Sequence, residues 1–106
     1  MTKIQAGTTN VYKDLGLKNP DEMLIKAKLA TQINHLIIKN KLTQLKASKI
    51  LGITQPKLSG MLRGQFRGIS EAKMLDCLTR LGQDIQIIIK PTPRSRPEGH
   101  VSVSCV

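Results

Sequence analysis

The sequence predicts an all-α protein: a cluster of four short helices followed by one C-terminal β-strand used for dimerisation. Three observations predict it. Apolar residues recur at helical spacing through residues 29–37 and again through 75–81. Asn, Thr or Ser precedes each presumptive helix, and Gly follows three of the four. Finally, Ile85-Gln86-Ile87-Ile88-Ile89-Lys90 is a β-branched run too short for a helix and is ended by Pro91. A chain of 106 residues holds one domain and leaves no room for two lobes with a cleft between them.

Residues 1–18 lack a periodic apolar pattern and form an N-terminal extension, with Val11, Tyr12, Leu15 and Leu17 as its anchors. The helical domain spans residues 19–82. Asn19 caps its first helix, Pro20 fits the first helical position, and Asp21 and Glu22 complement the helix dipole. That helix is expected to reach about Asn40, with Leu29, Ile33, Leu36 and Ile37 on its buried stripe. Thr43 caps a second helix through Leu51, where Gly52 supplies the tight turn. Thr54 caps a third, in which Pro56 falls in the first turn and displaces no intrahelical hydrogen bond, and Gly64 ends it. After a loop with Phe66 and Gly68, Ser70 caps a fourth helix whose Leu75, Leu78 and Leu81 face inward and which Gly82 stops. Residues 83–91 are the strand. Residues 92–106, rich in Pro, Ser, Arg and Gly, are expected to be a disordered tail.

Seventeen Lys plus Arg against seven Asp plus Glu give a formal net charge of +10, which points to a polyanionic partner. The charge is concentrated. Between Glu22 and Glu71 stand Lys26, Lys28, Lys39, Lys41, Lys46, Lys49, Lys57, Arg63 and Arg67 without one acid. Hydrophobic residues at 40% are too many for a disordered basic tail, so the cations belong to a folded unit. Only Tyr12 and Phe66 are aromatic, which argues against surfaces that stack single-stranded bases on several rings.

Other chemistries find no footing. Cys77 and Cys105 form no CxxC pair and lie far from His35 and His100, so neither a metal nor another cofactor is expected. No nucleophile elbow, phosphate loop or carboxylate pair suggests an enzyme. The N-terminus lacks the apolar core of a signal peptide, and no apolar run nears the roughly 18 residues that span a bilayer. These features predict a cytoplasmic protein with reduced thiols and no membrane contact.

Residues 44–61 carry the most specific signal. Two helices that cross steeply need a small residue at the crossing, apolar residues beneath it, Gly in the turn and apolar anchors on the second helix. Ser48, Ala47 with Leu51, Gly52, and Ile53 with Leu58 and Met61 fill those slots. This is a helix-turn-helix. The pattern from Leu42-Thr43-Gln44 to Leu62-Arg63-Gly64 resembles the signature of Xre-type, λ-repressor-like regulators, and the likeness extends over residues 21–81. The flanks, Val11-Tyr12-Lys13-Asp14-Leu15-Gly16-Leu17 and Gly82-Gln83-Asp84 with the strand, are similar to a subgroup of HigA-like antitoxins.

On such a scaffold the third helix enters the major groove of double-stranded DNA. With Leu58, Met61 and Leu62 buried, Pro56, Lys57, Ser59, Gly60 and Arg63 point outward and Gln55 projects from the helix start beside Thr54. A carboxamide pairs with adenine N6 and N7 together, so Gln55 is the first base reader. Lys57 suits guanine, Ser59 serves several bases, and Gly60 permits close approach. Gln44 resembles the family position that sets an amide and a helix N-terminus on a phosphate, while Arg63 and Arg67 are expected to contact phosphates. The isolated strand, with Ile85, Ile87 and Ile89, needs a pairing partner, and a second copy would yield a homodimer matched to a palindromic operator. The subgroup resemblance further implies an antitoxin that silences a RelE/HigB-like ribonuclease toxin, with Val11, Tyr12, Leu15 and Leu17 as the toxin-binding arm. Two alternatives stay open: an Xre-type regulator without a toxin, and a non-specific RNA- or DNA-binding architectural module.

Overall fold

Four helices make up the computed structural model, which describes residues 19–106: α1 (Asn19–Lys39), α2 (Gln44–Leu51), α3 (Gln55–Leu62) and α4 (Glu71–Arg80). The three inner starts are capped as hydroxyl residues dictate. Thr43, Thr54 and Ser70 accept from the amides of Lys46, Lys57 and Lys73 at 3.1, 3.3 and 3.1 Å. At the other end, every described helix closes with one device. A residue in left-handed conformation lets the next amide reach back to a carbonyl five residues earlier, satisfying groups the helix leaves unpaired. These bonds are Leu42 to Ile37, Ile53 to Ser48, Gln65 to Gly60 and Gln83 to Leu78, at 2.8 to 3.2 Å.

Gly52, Gly64 and Gly82 take the left-handed position in α2, α3 and α4, but in α1 it falls to Lys41 at φ 56°. A Cβ is unfavourable there. Lys41→Gly is therefore expected to raise stability by up to about 1 kcal/mol, and an unchanged or lower melting temperature would contradict this.

The core forms where α1 crosses α4. Ile25, Leu29, Ile33, Leu36 and Ile37 bury one side of α1 against Met74, Cys77, Leu78 and Leu81. Leu75, expected on the inner stripe, is only half-buried. Met74 and Cys77 hold the fully enclosed positions, because the buried set runs 74, 77, 78 and 81 at helical spacing. Burial pushes the Cys77 thiol above its ordinary pKa, so it stays protonated and inert at neutral pH. Ala47, Leu51, Leu58 and Met61 close the core from α2 and α3.

Lys26 departs from the sequence expectation. It was one of the nine cations of the basic stretch, yet it is 7% exposed and its Nζ lies 3.6 Å from Glu71 Oε1. It also donates to the carbonyls of Phe66 and Arg67, each at 3.4 Å. A buried ammonium needs such partners. The loop between α3 and α4 is thus fastened to α1. A second set of charges fastens α2: Lys73 and Arg80 of α4 donate to the last carbonyls of that helix, Leu51 and Ile50, at 3.0 and 3.2 Å, while both contact Asp76.

Beyond α4 the chain is irregular, with a turn in which the Arg96 amide bonds the Pro93 carbonyl at 3.1 Å, and no strand ladder exists among the described residues. A ladder requires a second strand, and one chain offers none to residues 85–90. Ile85 and Ile87 are half-buried, with Ile85 against the core, whereas Ile88 and Ile89 are 73% and 75% exposed. Composition predicts disorder for residues 92–106. In the structure the period-two pattern Val101-Ser102-Val103 turns both valines towards the core, and the Val103 carbonyl accepts from Lys28 Nζ at 3.4 Å. Val11, Tyr12, Leu15 and Leu17 lie outside the described residues.

Candidate nucleic-acid interface

The interface begins with the angle between α2 and α3. Ser48, 6% exposed, bonds its own helix at the Leu45 carbonyl, 2.8 Å away, and so leaves no polar group facing the neighbouring helix. Gly52 is needed for its φ of 69°, and a Cβ there would stand 3.3 Å from Arg80 Nη1. The turn is therefore tight and backed by a guanidinium. Ile53 packs into the core beyond it and fixes where α3 starts.

On α3, Leu58 and Met61 are fully enclosed and Leu62 is half-buried, so the opposite side is turned to solvent. Thr54, Gln55, Pro56, Lys57 and Arg63 are exposed and Ser59 is half-exposed. The outward positions assigned from the sequence thus share one side of one helix, Gly60 among them. Gly60 is nevertheless buried. The Gln65 side chain covers it: a Cβ at Gly60 would meet Gln65 Oε1 at 3.4 Å and Gln65 Cβ at 3.7 Å. Arg63 Nη1 donates to Ser59 Oγ at 2.9 Å, which joins two of the candidate residues one helical turn apart.

Gln44 is the exposed first residue of α2, and Arg67 is exposed on the loop that Lys26 fastens. Neither α2 nor α3 has an acidic residue in its first turn. Both helix N-termini keep their positive dipole ends uncompensated, the state that attracts phosphate. Eight of the nine cations from the basic stretch are exposed, all but Lys26. Among the described residues no group of His, Cys, Asp and Glu has metal-binding geometry. No helix there is long and apolar enough to cross a membrane.

Sequence reasoning missed two residues. Lys26 carries a signal that was available: it stands four residues before Ala30 and seven before Ile33, squarely on a buried helical row. Gln65 carried none, because its position over α3 depends on the left-handed turn at Gly64.

A tight helix-turn-helix with an acid-free, cation-bearing outer side defines the class as a DNA-binding regulator. Comparison with known proteins agrees. The chain belongs to the helix-turn-helix family described as "Helix-turn-helix domain", which matches residues 11–90. It is similar to a solved structure described as an XRE family transcriptional regulator, with a TM-score of 0.78 and 34% identity over 84% of this chain and 100% of that one. No curated protein matches the chain. The family and fold are those of transcription regulators and not of enzymes.

Proposed function

We propose that the protein is a homodimeric, sequence-specific repressor that lays α3 in the major groove of a palindromic operator. The observation that carries this is the acid-free outer side of α3, where Gln55, Lys57, Ser59 and Arg63 stand together. Gln55 reads adenine through its carboxamide and Lys57 reads guanine, with Ser59 between them. Thr54, Gln44, Arg63 and Arg67 face the backbone and set the register. Residues 85–90 pair with the same residues of a second copy, through the segment of Ile85, Ile87 and Ile89, and hold two copies of α3 about one turn of DNA apart.

Base readers and phosphate contacts are separable. Gln55→Ala is expected to cost about 1–3 kcal/mol on the operator and to relax discrimination at one base step. Arg67→Ala is expected to weaken all duplexes alike and to reduce the salt slope by about one unit. Titration of each variant against operator and random duplex checks both, and an equal loss for Gln55→Ala on the two duplexes would remove Gln55 from the reading set.

The likeness of the flanks to HigA-like antitoxins supports a further role, in which residues 1–17 bind and silence a RelE/HigB-like toxin. A protein truncated by those residues is then expected to fold and bind operator yet fail to protect cells from a toxin encoded beside it. Full protection by the truncated protein would eliminate that arm.

A further inference from the structure

The structure assigns a second carboxamide to the reading surface: we infer that Gln65, carried by the loop after α3, contacts a base edge and sets operator preference beside Gln55. This rests on the DNA-binding reading above and adds a residue to it.

Gly60 leaves a gap in the outer side of α3. Successive helical residues are rotated by about 100°, so Gly60 lies within about 50° of the direction opposite Leu58 and Met61. It belongs to the outer side of α3, flanked by Pro56 and Arg63, and yet it is buried. Something outside the helix must cover it, and that group is Gln65.

The closing turn of α3 dictates this placement. Gly64 at φ 92° reverses the chain, its amide bonds the Met61 carbonyl at 3.1 Å, and the Gln65 amide bonds the Gly60 carbonyl at 2.8 Å. In this motif the residue after the turn rests on the one whose carbonyl it bonds. Here that residue is a glycine, so the Gln65 side chain lies along the helix from its Cβ to its amide oxygen while the residue as a whole stays exposed. The amide end has no protein partner among the described hydrogen bonds and is free to donate and accept together. A glutamine is thereby set where a residue of α3 would otherwise project. Its backbone is pinned on both sides, by the Gly60 carbonyl and by the loop that Lys26 holds at Phe66 and Arg67. Fastening of this kind reduces the entropy lost when a side chain is ordered on a base.

The experiment selects preferred duplexes from a randomised pool with the intact protein, then measures affinity for every single base-pair change of the selected site. Gln65→Ala is expected to flatten discrimination at one base pair by roughly 5- to 150-fold, at a position different from the one that Gln55→Ala flattens. Gln65→Glu, which loses the donor and keeps the shape, is expected to move preference at that base pair from adenine towards cytosine. Both variants should fold as the parent does, since each keeps the Cβ over Gly60 and the amide bond to the Gly60 carbonyl that closes α3. Undiminished preference at every position in Gln65→Ala, or a uniform loss on all duplexes, would overturn the inference and leave Gln65 as a helix-closing residue. Failure of the underlying reading looks different: the unmodified protein would itself select no preferred site, and both proposals would fall together.

Discussion

Lys26→Met is expected to destabilise the protein by about 3–5 kcal/mol, because it leaves the Glu71 carboxylate buried without its cation. Glu71 is 2% exposed, its second oxygen, Oε2, has no hydrogen-bond partner among the described residues, and Lys26 is the cation that contacts it there. The same change frees the carbonyls of Phe66 and Arg67, and with them the loop that presents Arg67. For a domain of this size, the loss corresponds to a fall in melting temperature of well over 10 °C. The double change Lys26→Met with Glu71→Leu removes both charges and is expected to recover most of the loss, since two apolar groups need no pairing. A melting series over the two single variants and the double variant measures the coupling directly. A single variant that melts within about 2 °C of the parent would show that the pair contributes nothing.

The second large effect belongs to the C-terminal segment. Ile87→Pro is expected to convert the proposed dimer to monomers and to weaken operator binding by about 10²- to 10⁴-fold, as two linked recognition helices become independent. Proline removes a ladder donor in the middle of the pairing segment and has no place inside a paired strand. The segment has nothing else to satisfy it: no backbone hydrogen bond is made by residues 84–90 within the described chain. Two adjacent isoleucines, Ile88 and Ile89, are also left largely in water. Sedimentation and operator titration read the two consequences separately. A Pro variant that remains a dimer with undiminished affinity would place self-association on the helices and refute the role given to the strand.

Most of the helical framework was legible because its signals are local. Thr43, Thr54 and Ser70 cap from within their own helices, and Gly52, Gly64 and Gly82 mark reversals that other residues adopt with strain. The end of α1 was harder to read, since Lys41 occupies a left-handed position normally left to Gly or Asn. The outer residues of α3 follow from helical spacing because Leu58 and Met61 are buried. What spacing alone does not reveal is a long-range contact. The pairing of Lys26 with Glu71 spans 45 positions, and counting Lys26 among surface cations ignored the helical row it shares with Ala30 and Ile33. Gly60 illustrates the same point: the side chain that covers it arrives from beyond the next turn. In the tail, proline content outweighed the alternation of Val101 and Val103, which settles against the core.

The most direct test of sequence-specific repression is competition between duplexes across a range of salt. The protein is titrated onto DNA from upstream of its own coding region and onto random duplex of equal length, from 50 to 200 mM salt. Log affinity is expected to fall linearly with log salt on both, as exposed Lys and Arg displace counterions from phosphates. On the upstream DNA, affinity at physiological salt is expected to exceed the random value by at least about 10³-fold, with a footprint divided into two symmetric halves. Equal competition by the random duplex at physiological salt would contradict the account and leave a basic domain that binds nucleic acid by charge alone.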